Sequence, residues 1–175
     1  MSMPRCILAV AALVASTLAA FAQAPGQGQP ATPEEIALWD VSVGPDGAGL
    51  PSGNGSPQQG EAVYAAKCLP CHGEKGSGKP NDQLVGGLGT LTGEQPPVKT
   101  VGSFWPYATT LFDYVRRAMP FNAPRSLSDD EVYVVCAYIL RLNGIIEEGA
   151  VMNAQTLPKV QMPNRDGFMP FSRQK

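Results

Sequence analysis

The sequence Cys68-Leu69-Pro70-Cys71-His72 places two thiols three positions apart and an imidazole directly after the second. C-x-x-C-H is the spacing at which two cysteines bond covalently to the vinyl groups of one haem. Residues three apart on a helical turn lie on the same side, about 5–6 Å apart at Cβ, so both sulfurs reach one porphyrin edge. The motif predicts one covalently attached haem c, with the histidine as an axial ligand of its iron.

Other sites also use a C-x-x-C pair, and the rest of the chain argues against them. A tetrahedral zinc site needs four ligands; His72 is the only histidine, and Cys136 supplies at most a third sulfur. A thioredoxin-like pair lies at the start of a helix near a βαβ pattern, whereas this pair follows a predicted helix. A plain disulfide or a chance occurrence of the motif is the remaining alternative.

The N-terminus predicts export, which agrees with haem attachment outside the cytoplasm. Arg5 precedes an apolar run from Cys6 to Phe21, and small-residue cleavage signals follow. We expect a signal peptide over residues 1–22, with cleavage after Ala22, and a periplasmic protein. An uncleaved anchor is the alternative, but the run is short of the ~20 residues that span a bilayer. No later segment is long and apolar enough, so no membrane span is expected after cleavage.

Composition and patterning divide the mature chain into three parts. An irregular N-terminal extension rich in Pro and Gly covers residues 23–55, a monohaem domain covers 56–146, and a C-terminal extension covers 147–175. The formal net charge is −2, and this lack of basic excess argues against nucleic-acid binding. Turns are expected at residues 45–47 and 53–55, and a long irregular stretch at 81–106.

Three helices are predicted inside the domain. Ser56-Pro57 starts the first as N-cap and first helical residue, and it runs to Cys68. Apolar spacing predicts a short helix over residues 109–118. The capping box from Ser128 to Glu131 starts a third helix, which ends near Leu142 at Asn143-Gly144. The fold class is therefore all-α.

This order of elements resembles the class I c-type cytochromes over residues 56–146. The resemblance implies a class I cytochrome c-like fold with long irregular loops, in which the first and last helices cross at Gly60 or Tyr64 against Tyr138. The family pairs histidine with methionine, which raises the reduction potential. Met119, followed by Pro120 ahead of the capped helix, matches that pattern.

Other residues are candidates for the haem surroundings. Met162 repeats the Met-Pro dipeptide beyond the last helix and is the alternative ligand. Trp105 and Tyr107 either hydrogen-bond the haem propionates or simply pack. Arg116 is a third candidate propionate partner, next to an arginine that points elsewhere on the helix. We expect Cys136 to be a buried small hydrophobe.

A longer stretch of sequence carries a more specific resemblance than the class I pattern alone. Residues 102–114 and 116–120, with Trp39-Asp40-Val41 and residues 157–168, resemble the cytochrome subunit of sulfane dehydrogenase from the Sox sulfur-oxidation system. Relatives of that subunit accept electrons from molybdenum sulfite dehydrogenases. The subunit has a second haem motif, whereas this chain has one C-x-x-C-H, so the resemblance implies a single-haem relative.

The resemblance implies an electron-transfer protein and not an enzyme. It would accept single electrons from a molybdenum sulfite or sulfane dehydrogenase and pass them to a downstream cytochrome or oxidase. Two alternatives stay open: a tightly bound subunit of the dehydrogenase, and a haem enzyme with an open iron position or a reactive Cys136.

The charges predict how a partner is attracted. Residues 67–79 and 113–125, which should flank the haem, contain six basic and two acidic residues. The rest of the mature chain is predominantly acidic. This pattern predicts a basic ring around the exposed haem edge that attracts an acidic patch on the partner; scattered solvated charge is the alternative.

Overall fold

The structure is a computed structural model that describes residues 28–169. The chain divides into two compact units, residues 1–40 and 41–175. The predicted signal peptide over residues 1–22 lies outside the described residues. In the first unit, helix α1 covers Pro33–Trp39, and Thr32 caps it by accepting a hydrogen bond from the Glu35 N–H.

Within its described residues, the second unit contains five helices. They are α2 (Pro57–Lys67), α3 (Leu69–His72), α4 (Val101–Phe104), α5 (Ala108–Ala118) and α6 (Asp129–Leu142). Single 3₁₀ turns cover Glu74–Gly76, Thr90–Thr92 and Leu157–Lys159. Strands β1 (Asn54–Gly55) and β2 (Met152–Asn153) form a short antiparallel pair. The prediction of an all-α fold is confirmed.

The capping signals of the two long helices work as the sequence predicts. Ser56 and Gln59 form a reciprocal capping box at the start of α2, as do Ser128 and Glu131 at the start of α6. These bonds satisfy backbone N–H groups that a helix start leaves without partners. Helix α6 ends at Leu142, and Gly144 follows with a φ of 68°, as expected for a glycine C-cap.

Helices α2 and α6 cross at a glycine. A Cβ added to Gly60 would lie 2.0 Å from the Val134 carbonyl oxygen and 2.7 Å from the Tyr138 Cβ. One turn further along α2, the rings of Tyr64 and Tyr138 lie 5.3 Å apart. The predicted contact of these helices is confirmed, and it needs a residue without a side chain because the backbones touch.

The segments outside the long helices contribute to the same core. Met152, Leu157, Val160 and Met162 are buried with the α5 and α6 side chains. The Asn164 amide donates to the Phe104 carbonyl at 2.6 Å. The predicted domain limits at 56–146 and 147–175 stay predictions, but residues 152–162 pack as core and not as a loose tail.

Two local predictions are wrong. Residues 53–55 were expected to form a turn, but Asn54 and Gly55 form β1, because Met152 and Asn153 offer a backbone partner from far along the chain. Residues 81–106 were expected to be irregular throughout, but they include the 3₁₀ turn at Thr90–Thr92 and helix α4. Thr100 and Ser103 form the capping box of α4, a signal that the sequence carried.

Candidate haem site

The C-x-x-C-H motif forms its own short helix, α3, directly after α2. The Cys71 N–H donates to the Cys68 carbonyl at 3.1 Å, and the His72 N–H donates to the same oxygen at 2.9 Å. These bonds close one helical turn, which brings the two cysteines to the same side. Both thiols are free; Cys68 is half-buried and Cys71 is exposed. Burial, followed by the neighbouring Cys71, raises the pKa of Cys68 to about 11.

The His72 ring is held by one nitrogen. Its Nδ1 lies 2.8 Å from the backbone carbonyl oxygen of Asp82. A carbonyl can only accept, so this bond requires the proton on Nδ1, and in the neutral imidazole the lone pair is then on Nε2. The ring is therefore oriented with Nε2 as the nitrogen available to a metal.

The glycine-rich loop after the motif supplies that carbonyl. The Asn81 N–H donates to the Cys71 carbonyl at 2.9 Å, and the Gly78 N–H donates to the His72 carbonyl at 2.8 Å. Gly73 has a φ of 73°, and a Cβ there would lie 2.5 Å from the Gly78 carbonyl oxygen. The loop bends back tightly on the motif because Gly73 allows it. The Tyr64 hydroxyl donates to the Gly73 carbonyl at 2.9 Å and ties the loop to α2.

Met119 lies where α5 ends. Its N–H donates to the Val115 carbonyl at 3.0 Å, and its backbone is extended as the C-cap of the helix. The side chain is half-buried and packs against the hydrophobic core, as does that of Cys68. Met162, the alternative ligand, is 3% exposed inside the core, which matches an ordinary packing role. The assignment of Met119 stays a prediction.

The aromatic candidates have packing partners. The Trp105 ring meets Tyr114 edge to face with centroids 5.7 Å apart, and Trp105 also packs against the core. The Arg165 guanidinium lies 4.9 Å from the centre of the Tyr107 ring, a cation–π contact from the C-terminal segment. These contacts agree with a packing role for Trp105 and Tyr107. A hydrogen bond from either residue to a haem propionate stays a prediction.

The two neighbouring arginines of α5 both pair with carboxylates. The Arg116 Nε donates to Asp129 at 3.0 Å, and Arg117 pairs with Asp113 one turn back on the same helix. The prediction that Arg116 holds a propionate stays open, with one of its donors already committed to Asp129. The pairing also weakens the proposed basic ring on this side, whereas Lys67, Lys75 and Lys79 are exposed beside the motif.

Cys136 is fully buried on α6. Burial, followed by the nearby Cys68, raises the pKa of its thiol well above the ordinary range. A protonated, inaccessible thiol is a poor nucleophile. The structure therefore favours the buried-hydrophobe interpretation of this cysteine.

These residues fit a haem and do not fit a bare metal ion. Within the described part of the chain, no group of three or more His, Cys, Asp or Glu side chains is arranged to hold an ion. The turn instead offers two free thiols and one imidazole with Nε2 available, the donor set that a covalently attached haem requires. Among residues 28–169, no helix combines the length and apolar character that a membrane span needs.

Two groups that support the site could not be predicted from the sequence. One is the Asp82 carbonyl, since a backbone group has no residue signature. The other is Asn143, which was expected only as a helix end. Its side chain accepts from the Gly86 N–H at 3.1 Å and donates to the Leu84 carbonyl at 3.2 Å. It thereby fastens the loop that follows the motif to the end of α6.

Comparison with known proteins gives the family. The model of the cytochrome c oxidase cbb3-type subunit III family matches residues 55–139. Thiosulfate dehydrogenase of Allochromatium vinosum is 35% identical over 81 residues. That match covers 46% of this chain and only 29% of the length of thiosulfate dehydrogenase.

A solved structure is similar over most of the chain. It is the sulfane dehydrogenase SoxCD from Paracoccus pantotrophus, of which one chain is 43% identical with a TM-score of 0.79. The match covers 86% of this chain and 74% of that one. The chain therefore belongs to the class I c-type cytochromes of the Sox type, a family of electron-transfer proteins that carry haem c.

Proposed function

We propose that this protein is a periplasmic monohaem cytochrome that accepts single electrons from a sulfur-oxidising molybdenum dehydrogenase and passes them to a downstream cytochrome or oxidase. The observation that carries the proposal is the His72 ring, anchored through Nδ1 to the Asp82 carbonyl on the turn that also bears two free thiols. The likeness to a chain of sulfane dehydrogenase SoxCD supports the sulfur-oxidising partner.

Four residues would hold the haem. Cys68 and Cys71 would attach it through thioethers, and His72 and Met119 would supply the ligands of its iron. The bound haem supplies a one-electron couple between ferric and ferrous iron, and methionine as the second ligand favours the ferrous state.

The chain's other groups orient these residues and pack against the same core. The Asp82 carbonyl fixes the ring orientation of His72 and strengthens Nε2 as a donor. The half-buried side chains of Leu84, Trp105 and Leu127 pack against the same core as Cys68 and Met119. The catalytic oxidation of the sulfur compound belongs to the partner, which releases two electrons that this protein takes one at a time.

The test is reduction of the purified oxidised protein, followed by visible spectroscopy. We expect sulfite alone to leave the protein oxidised, and sulfite with a catalytic amount of a molybdenum sulfite dehydrogenase to reduce it fully. A sulfane dehydrogenase with its own substrate forms a parallel arm. Reduction by sulfite alone would show an enzyme, and failure of both dehydrogenases to reduce the protein would refute the proposed donor.

A second arm separates a transient acceptor from a permanent subunit. A transient acceptor elutes alone in gel filtration with the dehydrogenase at physiological salt, whereas a permanent subunit co-elutes at a fixed ratio. Carbon monoxide binding to the ferrous protein without denaturant would support the remaining alternative, an open iron position.

A further inference from the structure

One carboxylate of the chain is buried without a role in the site described above. Asp113 on α5 is 8% exposed, and it is the one buried acidic side chain among the described residues. A buried carboxylate is costly unless hydrogen bonds satisfy it. Its Oδ1 accepts from the Val43 N–H at 2.9 Å, and its Oδ2 pairs with Arg117. Asp113 therefore ties α5 to a segment 70 positions away.

A second buried side chain makes the same kind of tie. Thr109 lies one turn before Asp113, is 0% exposed, and donates from Oγ1 to the Pro45 carbonyl at 3.2 Å. Positions four apart share one face of a helix. This face of α5 thus binds the backbone of residues 41–50, which we call the strap. The tight turn of the strap at Pro45 and Asp46 closes with a Gly47 N–H to Gly44 carbonyl bond at 3.0 Å.

Helix α5 is consequently held on two sides. Leu111, Phe112 and Val115, which are buried in the core, fix one face of the helix. Thr109 and Asp113 fix another face against the strap. Apolar packing alone tolerates small slides of a helix, because it is non-directional. Hydrogen bonds to a defined backbone partner instead set both the position of α5 along its axis and its rotation about that axis.

Met119 is attached to the end of this helix. Its N–H bonds to the Val115 carbonyl at 3.0 Å, so a shift of α5 moves Met119 with it. We propose that Asp113 and Thr109 are positioning residues that set the place of Met119 by binding the strap. This inference rests on the proposed role of Met119 as an iron ligand.

The residue that follows the strap offers a matched control. Beyond residue 50, the Tyr133 hydroxyl of α6 donates to the Pro51 carbonyl at 2.9 Å. That bond joins the same N-terminal chain to α6, which carries no proposed ligand. Tyr133→Phe removes one buried hydrogen bond, as Thr109→Val does, but it leaves the face of α5 intact.

The experiment compares Thr109→Val, Asp113→Leu and Tyr133→Phe in the full-length haem-loaded protein, with Met119→Leu as the reference for a lost ligand. The readouts are the weak red absorption band of ferric methionine-ligated haem, the reduction potential, and carbon monoxide binding by the ferrous protein. We expect Thr109→Val and Asp113→Leu to weaken the band, lower the potential and raise carbon monoxide binding several-fold. Tyr133→Phe should leave all three at the wild-type level.

Each outcome decides between these possibilities. If Met119→Leu removes the band while Thr109→Val and Asp113→Leu do not alter it, the positioning role is refuted and the ligand stands. If Tyr133→Phe shifts the three readouts as much as Thr109→Val does, the effect is general destabilisation and the inference fails. If Met119→Leu changes nothing, both the ligand and the inference fail. Should Asp113→Leu not fold, Thr109→Val, which nearly preserves the side-chain shape, decides alone.

Discussion

The two sides of the candidate site are built in different ways. On the motif side, residues 68–82, the key contact joins His72 to the Asp82 carbonyl only ten positions later. On the methionine side, Met119 depends on α5, and α5 is tied to the strap by a bond between Asp113 and Val43 across 70 positions. The motif side is a local structure that closes on itself, whereas the methionine side is placed by the assembled fold.

This difference has an energetic consequence. The conformational entropy lost on closing a loop grows slowly with the length of the loop, so bringing distant segments together costs more than closing a short one. The motif side should therefore keep its geometry under changes that loosen the core. The methionine side should respond to changes in residues far from Met119.

The largest effect should come from breaking the motif side outright. Replacing both Cys68 and Cys71 by alanine removes both thioether positions, so we expect complete loss of covalently bound haem. The measurement is haem staining after denaturing electrophoresis, together with the mass of the intact protein. Cys136→Ala is the control and should retain the haem; loss of haem in that variant would contradict the assignment of the two thioethers.

The second prediction concerns the crossing of α2 with α6. Helix α2 leads directly into the motif. Gly60→Ala places a Cβ 2.0 Å from the Val134 carbonyl oxygen, so the helices must separate. We expect a loss of about 1–3 kcal/mol in the free energy of unfolding, measured by denaturant titration.

Gly149→Ala is the matched control, because nothing lies within 4 Å of its added Cβ. Its stability should stay within about 0.5 kcal/mol of the wild type. Equal effects of the two substitutions would contradict the close crossing.

Asn143→Ala tests the tie between α6 and the loop that follows the motif side. The substitution removes the acceptor of the Gly86 N–H and one donor to the Leu84 carbonyl, which keeps the Val101 N–H at 3.3 Å. We expect destabilisation of about 1–3 kcal/mol. Hydrogen exchange should rise at residues 84–86 more than at residues 68–72, and the exposed Asn122→Ala is the control. Equal loosening of the motif turn would show that this side is less autonomous than proposed.

Charge reversal tests whether basic residues on either side of the site attract the electron-transfer partner. Lys75 is exposed beside the motif, whereas Arg116 and Arg117 are paired with carboxylates. We expect Lys75→Glu to slow electron transfer from the dehydrogenase several-fold at low salt and to flatten its salt dependence. Lys159→Glu, outside the predicted ring, is the control for net charge. An unchanged rate and salt dependence in Lys75→Glu would end the steering hypothesis.

The smallest effect concerns the buried thiol of Cys136. Burial raises its pKa in the folded protein, so the folded state keeps the proton while the unfolded chain releases it near pH 8.5. The stabilisation is complete below that pH and is lost as the pH rises above it, with a slope of at most about 1.4 kcal/mol per pH unit.

Cys136→Ala should therefore show a flatter fall of stability above pH 9 than the wild type, in denaturant titrations of the haem-loaded protein. Identical slopes in the two proteins would contradict a buried, protonated thiol.

Much of this fold was predictable because its start and stop signals are local. The capping boxes at Ser56 and Ser128 and the end at Gly144 each act within one helical turn, and all three lie where the sequence placed them. Residues 53–55 were predicted wrongly for the opposite reason. Their partner, β2, begins at Met152, and no local sequence pattern predicts a strand pairing across that distance.

By itself, the sequence determined that a covalent haem motif exists, that His72 is the one available imidazole, and that capped helices flank it. These features depend on residues within a turn of one another, so spacing and residue type suffice to specify them. Only the tertiary structure decided how Asp82 orients that imidazole, that Asn143 fastens the following loop, and that the strap binds Asp113 of α5. Those contacts join backbone groups and distant segments, whose meeting depends on how the whole core packs.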